Sequence, residues 1–199
     1  MSFAELLDAR PGKKLNVLDI DIETRKIGFH DAGRFKPGGA EPVVISLAFE
    51  GMEPEFKSLR PLWDERDARE MLAWFRGYYE AADVVTGHYI RKFDLPIING
   101  ALFEWGLPLL DQKLVVDTKT DLVELAAMSL SQENLASLKE LEESKFHMHD
   151  NRWRQVARLT PEGLALAHER VTKDVLQHQA LRKELAAAGA LKPPSLWKP

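Results

Sequence analysis

Three carboxylates stand at alternate positions in an apolar stretch near the start of the chain, LDIDIET. They belong to Asp19, Asp21 and Glu23. Alternate side chains of a β-strand point to the same face, so a strand here would place all three carboxylates on one side. Like charges this close repel each other, and burying them without a counter-charge is costly. A bound cation would relieve that repulsion, and the pattern therefore indicates a cation site.

Two more carboxylates stand at the ends or faces of other predicted elements. Asp94, in GHYIRKFDLP, begins a predicted helix directly after an apolar strand, and Asp174, in HERVTKDV, lies inside a long helical pattern. Each has a structural explanation of its own, because an Asp at a helix start caps free N–H groups and helix faces are normally charged. The acidic strand has no such ordinary explanation, so it carries the prediction of a site.

The composition limits what kind of site this is. The chain has no cysteine, so thiol catalysis and disulfides are excluded, and any metal must be bound by Asp, Glu, His or backbone oxygen. Those ligands favour hard divalent ions. The net charge of −4 argues against a general polyanion-coating protein without excluding a nucleic-acid enzyme. No apolar run is long enough to span a bilayer, and the N-terminus lacks the pattern of a secretion signal, so we expect a cytoplasmic protein.

The elements that must position these carboxylates follow the order βββαβαβ and then helices. Apolar strands are predicted at residues 15–22 and 43–49, with a short third one in EPEFKSL. Asp64 and Thr160 are predicted helix N-caps, and the long last helix should end at Gly189. This order predicts a mixed sheet covered by helices in one domain, with its core at about residues 15–188 and an extended tail at residues 189–199.

The carboxylate motifs also carry a resemblance to a known family. DIET, GHYIRKFDLPIING and KDV, in that order, resemble the motifs of the DEDD-type 3′–5′ exonucleases, over about residues 15–185. The resemblance implies an α/β, ribonuclease H-like fold in which a central mixed five-stranded sheet is flanked by helices. It also implies a stand-alone exonuclease domain spanning residues 1–199.

The same resemblance implies four catalytic, metal-binding carboxylates: Asp21, Glu23, Asp94 and Asp174. Two Mg²⁺ or Mn²⁺ ions per site would activate water and brace the leaving oxygen of a phosphodiester. The family implies that Asp21 bridges the ions and that Glu23 also contacts the nucleophilic water or the terminal nucleotide. Asp94 would hold the second ion and Asp174 the first.

The sequence departs from the family where a Tyr or His normally orients the attacking water. Those positions hold Arg170 and Glu169, and the nearest histidine, His168, is six residues before Asp174. Six residues turn a helix by about 120° from the Asp174 face, so His168 reaches the metals only if the helix is irregular; a partly exposed helix histidine is the alternative. Arg170 lies on the Asp174 side and would hold a phosphate or pair with Asp174.

Four residues near the first two motifs are candidates for binding the substrate: Thr24, His88, Tyr89 and Phe93. Thr24 would offer donors to the 3′ end, as its relatives do, and His88 and Phe93 would shape the nucleotide pocket. Tyr89 stands where many relatives have Asn, and would stack on a base or pack beside the sheet. Core packing is the alternative role for Phe93. The basic and aromatic segment HMHDNRWRQVAR suits single-stranded nucleic acid, although a solvated loop with one buried Trp is the commoner explanation.

The sequence thus predicts a divalent-metal-dependent 3′–5′ exonuclease acting on single-stranded DNA ends. It would work alone or as a dissociable subunit beside a polymerase or another replication or repair protein, with no membrane partner. Three alternatives stay open. They are an exoribonuclease of the same family, a weakened, nucleic-acid-binding protein that keeps the fold, and an unrelated Mg²⁺-dependent phosphoesterase, which would require the Asp94 and Asp174 matches to be chance. We also expect Asp19 to lie farther from the metals, bound to a basic or backbone group, and His178 to pack beside the site.

Overall fold

The first three strands form an antiparallel meander in the computed structural model, which describes residues 15–26, 39–125, 128–141 and 148–199. Strand β1 spans Val17–Lys26, β2 spans Ala40–Phe49 and β3 spans Glu55–Ser58. β1 pairs with β2, and β2 with β3, both antiparallel. All three strands were predicted. The N-terminal segment and the Gly- and Pro-rich connection between the first two strands lie outside the described residues, as does His147.

The remaining strands extend the sheet on the other side of β1. β4 spans Val84–Gly87 and β5 spans Lys113–Asp117; β4 runs parallel to both β1 and β5. The last strand, β6, spans Ser195–Trp197 and pairs antiparallel with β5. The sheet order is β3-β2-β1-β4-β5-β6. The sheet is therefore mixed, as predicted. Among the described residues it has six strands instead of five, because the predicted extended tail adds to the free edge of β5 and buries Trp197.

Five helices cover the sheet among the described residues: α1 (Glu65–Ala81), α2 (Asp94–Glu104), α3 (Gln132–Leu138), α4 (Asp150–Ala157) and α5 (Pro161–Ala187). Asp64 caps α1 with a reciprocal capping box, and the Thr160 hydroxyl caps α5 ahead of a proline in its first turn. Helix α4 lies in the basic and aromatic segment, where the sequence left a loop as one explanation. Within the described residues no helix combines the length and the apolar character that crossing a membrane requires.

Alternation along β1 divides the protein into two layers. Leu18, Ile20 and Ile22 belong to the larger core, which includes the buried face of α1 and the buried residues of α2. Val17 belongs to a second apolar cluster with Leu181 and other residues of α5. Because odd-numbered and even-numbered residues of a strand face opposite ways, the acidic positions of β1 share the side of Val17 and face α5. The site therefore forms between β1 and the last long helix.

Candidate metal and nuclease site

A stripe of polar residues on α5 faces the acidic residues of β1. Arg170, Asp174, His178 and Arg182 recur every four residues and so follow one side of the helix. Four helical residues rise about 6 Å, close to the roughly 6.6 Å that two strand residues span. The two spacings nearly match, so the α5 stripe runs along the acidic positions of β1, and its last two residues share one acid. Arg170 reaches Glu23, whereas His178 and Arg182 reach Asp19.

Three carboxylates converge where this stripe reaches Asp174. Asp21, Glu23 and Asp174 each offer an oxygen atom, and these atoms all lie within 4.8 Å of one another. Asp174 is only 3% exposed, and the Glu23 side chain is 12% exposed. The strand brings two of the carboxylates together because they are two positions apart, and the packing of α5 on the sheet brings the third from more than 140 positions away.

Asp94 lies beside this group, at the first residue of α2, and is 3% exposed. Burial raises the pKa of Asp94 to about 7, and the negative charges of Asp117 and Glu23 act in the same direction. Hydrogen bonds from the backbone N–H groups of Asp94 itself and Ile22 oppose that rise. The charge of Glu23 thus acts on Asp94, although Asp94 is not one of the three residues whose oxygen atoms lie within 4.8 Å.

Arg170 lies among the same carboxylates. Its Nε donates a hydrogen bond to Glu23 Oε1 over 2.7 Å and lies 3.7 Å from Asp174 Oδ2. Its guanidinium carbon is 5.3 Å from the centre of the Trp153 ring, on α4. The structure therefore places a cation where the family pattern has a water-orienting Tyr.

The third acid of LDIDIET, Asp19, belongs to a separate buried network. Its two oxygens accept hydrogen bonds from Arg182 Nε and Nη2 over 2.9 and 3.0 Å, and His178 Nδ1 lies 3.0 Å from Oδ1. Burial alone would raise the pKa of Asp19, but the charges and hydrogen bonds of Arg182 and His178 hold it below the usual value. The expectation that Asp19 binds a basic group, and that His178 packs beside the site, is confirmed.

His168 is turned towards the edge of the sheet. Its Nε2 lies 2.8 Å from Ser58 Oγ, and its ring stacks on Phe56 with 4.3 Å between the centroids. Both partners belong to β3, two strands away from β1. Burial holds the pKa of His168 below its usual 6.5. The structure thus brings Arg170, and not His168, to the three carboxylates.

The substrate-binding candidates surround the start of α2 and the end of β1. The pairing of β1 with β2 shifts between Glu23 and Thr24, so Thr24 follows a β-bulge. His88 Nδ1 lies 3.1 Å from Thr118 Oγ1, and Phe93 packs against the larger core. Tyr89 is 38% exposed and has a φ of 68°, which a Tyr adopts less readily than an Asn does. The Lys119 ammonium lies 4.3 Å from the centre of its ring.

The sequence motifs did not indicate the buried residues that hold the loop between β4 and α2, which includes Tyr89. Asp117, fully buried at the end of β5, accepts hydrogen bonds from the backbone N–H groups of Tyr89 and Arg91 over 2.9 and 3.2 Å. Arg91 in turn donates to Asp121 and to the Ser195 carbonyl and hydroxyl oxygens. The sequence did contain a signal for the Asp117 contacts, because VVDTKTD places an Asp at the end of an apolar strand.

The donor set of the cluster fits a hard divalent cation. Its members are carboxylates, which are the ligands that Mg²⁺ and Mn²⁺ prefer, and their mutual repulsion favours a cation between them. Asp21, Glu23 and Asp174 would hold the ion, and Asp94 is close enough for the charge of Glu23 to affect it.

Comparison with known proteins bears on the fold. No protein-family model matches the chain, and no curated protein matches it by sequence. Among solved structures, the chain is similar to the family B DNA polymerase from the hyperthermophilic archaeon Pyrobaculum calidifontis, with a TM-score of 0.61 and 17% sequence identity. The fold is ribonuclease H-like. The match covers 88% of this chain and 25% of the polymerase chain, so the chain spans about a quarter of that protein's length.

Proposed function

We propose that this protein is a divalent-metal-dependent 3′–5′ exonuclease that hydrolyses single-stranded DNA. The observation that carries the proposal is the convergence of Asp21, Glu23 and Asp174, from the central strand and the last long helix, within 4.8 Å. The resemblance of DIET, GHYIRKFDLPIING and KDV to the DEDD exonucleases supports the same function. The likeness to a stretch of a DNA polymerase favours DNA as the substrate.

Each residue would have a distinct part in this reaction. Asp21, Glu23 and Asp174 would hold Mg²⁺ or Mn²⁺, with Asp94 completing a site for two ions, and these ions would activate water and stabilise the charge of the transition state. Glu23 would accept a hydrogen bond from the attacking water. Thr24 would bind the 3′ end with its backbone and hydroxyl groups.

The rest of the terminal nucleotide would bind beside the start of α2. Tyr89 presents an exposed ring, and base stacking on such a ring tolerates any sequence. His88 and Phe93 would form the wall of the nucleotide pocket. His168 is the weakest catalytic candidate because its ring lies against Phe56 on β3. A polymerase or another replication or repair protein is the partner that the likeness favours.

One observation favours a second candidate function, a nucleic-acid-binding protein with little or no catalysis. Arg170 stands at the position of the water-orienting residue and pairs with Glu23, which a catalytic site needs for metal and water. An arginine cannot accept a proton from water at neutral pH. The two candidates differ in one measurable property, which is whether metal produces cleavage.

Digestion of end-labelled single-stranded DNA and RNA with Mg²⁺, Mn²⁺ or EDTA tests the proposal. We expect metal-dependent shortening from the 3′ end. The Asp21→Asn variant should lose at least about 100-fold in rate, because it removes a negative charge from the metal site itself, where the loss should reach or exceed the roughly 10–100-fold typical of outer-shell partners. Asp111→Asn is the matched control, because Asp111 is an exposed aspartate two residues before β5 and is not a member of the carboxylate cluster. Activity that survives both EDTA and Asp21→Asn would contradict the proposal. Binding without cleavage would support the second candidate, and preference for RNA would indicate the exoribonuclease.

A further inference from the structure

The Arg170 guanidinium lies among the carboxylates, where a metal ion would bind. Its side chain is 17% exposed, and Nε lies 2.7 Å from Glu23 and 3.7 Å from Asp174. Both acids are more buried than the arginine, at 12% and 4% for their side chains. Three carboxylates within 4.8 Å would repel strongly in a partly desolvated site, and the guanidinium offsets part of that repulsion.

We propose that Arg170 is the resident counter-ion of the carboxylate cluster and competes with the divalent metal for Glu23. The inference rests on the proposed function, because it takes the cluster to be a metal site. In the metal-free protein the guanidinium pairs with Glu23. When metal binds, Glu23 turns to the ion and Arg170 gives up that contact.

The contact with Trp153 determines where the released arginine remains. The Trp153 ring lies 5.3 Å from the guanidinium carbon and provides a face for cation–π contact that does not involve the carboxylates. From that position the guanidinium would bind a phosphate oxygen of the nucleic acid. The phosphate and the metal would then strengthen each other's binding, because each favours the separation of Arg170 from Glu23.

The competition predicts opposite effects of one substitution on stability and on metal affinity. Arg170→Met keeps the apolar stem that packs on Trp153 but removes the charge. Without metal, this variant should have a lower melting temperature at low ionic strength, and salt should narrow the difference, because screening weakens the repulsion among the carboxylates. With metal, it should bind Mn²⁺ at least about tenfold more tightly, because no cation has to be displaced.

The experiment is calorimetric titration of Mn²⁺, together with melting curves in EDTA at low and high salt. Two variants accompany Arg170→Met. Arg170→Lys keeps the charge and should stay within about threefold of the wild-type affinity for Mn²⁺. Lys173→Gln is the matched control, because it removes one positive charge from the same helix, where the ammonium pairs with Glu169 on the exposed side. Its Mn²⁺ affinity should equal that of the wild type.

Coupling is measured by repeating the titration with wild-type and Arg170→Met protein in the presence of a short single-stranded oligonucleotide whose phosphorothioate linkages resist cleavage. The oligonucleotide should tighten Mn²⁺ binding when Arg170 is present and have a smaller effect in the Arg170→Met background.

Two results would overturn the competition alone. The first is equal Mn²⁺ affinity in Arg170→Met and wild type. The second is a loss of melting temperature that salt does not change, which would show that Arg170 only packs on Trp153. Absence of Mn²⁺ binding in the wild type and in every variant would instead overturn the proposed metal site itself, and the competition with it.

Discussion

At the residue scale, the side of α5 on which a residue lies determines whether its side chain reaches the carboxylates of β1. Arg170 and Asp174 are one turn apart and both reach the carboxylates of β1, whereas His168, two positions earlier than Arg170, contacts β3. A difference of two residues turns a helix by about 200°. Residue identity alone would favour the histidine as the reactive group, and the helical period explains why the structure brings the arginine there instead.

His168 gives the protein a specific dependence on pH. Because burial holds the pKa of His168 below 6.5, the unfolded chain binds more protons at this residue than the folded protein does once the pH falls below 6.5. The contribution of His168 to the free energy of unfolding should therefore fall as the pH is lowered from about 7 to 5, while the raised pKa of Asp94 acts in the opposite direction. His168→Phe keeps the stacking on Phe56 but removes the His168 contribution, so lowering the pH over this range should favour the folded state more in the variant than in the wild type.

Urea denaturation of wild type and variant at several pH values in EDTA checks this. His149→Gln, at an exposed histidine just before α4, is the control and should keep the wild-type slope. An unchanged slope in His168→Phe would show that His168 does not cause the dependence.

The sequence motifs select carboxylates, three of which lie together in the structure, but they do not identify the basic partner of Asp19. Asp21, Glu23, Asp94 and Asp174 could be selected because each belongs to a motif whose order along the chain resembles a known family. Arg182 belongs to no such motif, and its role depends on its being four residues after His178 on a helix that packs against β1. That contact is tertiary, so a pattern within one segment does not show it.

At the scale of elements, the pairing of α5 with β1 holds the site in register. The hydrogen bonds from Arg182 and His178 to Asp19 tie the two elements together one step from the carboxylate cluster. Arg182 also lies 3.6 Å from Glu50, just after β2. Asp19, His178 and Arg182 are fully or almost fully buried, so their charges must be matched for the helix to pack in this position.

Asp19→Asn should destabilise the protein, because it removes the negative charge that pairs with Arg182. Removing the charge leaves the buried Arg182 with its longer contact to Glu50, and breaking a buried pair in this way costs about 3–5 kcal/mol of unfolding free energy. Denaturant unfolding measures the loss. Glu65→Gln, which removes an exposed ion pair with Arg69 on α1, should change stability by less than about 1 kcal/mol.

Combining Asp19→Asn with Arg182→Met tests whether the loss of stability comes from the unpaired charge of Arg182 or from lost packing. If the unpaired charge causes the loss, the double variant should be more stable than Asp19→Asn alone, because the buried cation is gone. Strictly additive losses would show that the two residues stabilise the protein independently.

The prediction of elements from sequence succeeded where the local signals were strong. Asp64 and Thr160 marked the starts of α1 and α5, since each supplies a side-chain oxygen to a free backbone N–H. The sequence did not decide between a solvated loop and a nucleic-acid-binding segment at α4, because HMHDNRWRQVAR is mainly polar and basic with one Trp. Helix α4 is held by the packing of Val156 and Trp153 against the larger core, which local propensity does not reveal.

At the scale of the whole molecule, the sheet extends farther than its sequence indicates. β6 has three residues and follows two prolines, so nothing in its local pattern predicts a strand. It pairs with the edge of β5, and Arg91 connects Ser195 to the loop that precedes Asp94. The mixed sheet covered by helices was predictable from the order of elements, whereas this addition depends on contacts between residues about a hundred positions apart.

Trp197→Ala tests whether β6 is an integral part of the fold. Trp197 is 9% exposed and packs with the larger core, so its truncation should cost about 3 kcal/mol of unfolding free energy. Leu196, next to it on the same strand, is 46% exposed, and Leu196→Ala should cost less than about 1 kcal/mol. Denaturation curves compare the two. Equal losses would mean that Trp197 contributes no more than its exposed neighbour.

The position of the carboxylates in the chain also has a consequence during protein synthesis. β1 is made early and α5 late; Asp19 and Arg182 are 163 positions apart. At about 5–20 residues per second, the ribosome completes α5 roughly 10 s or more after β1. During that interval Asp21 and Glu23 exist without Asp174. A nascent chain of this protein therefore carries no assembled carboxylate cluster until α5 has been made.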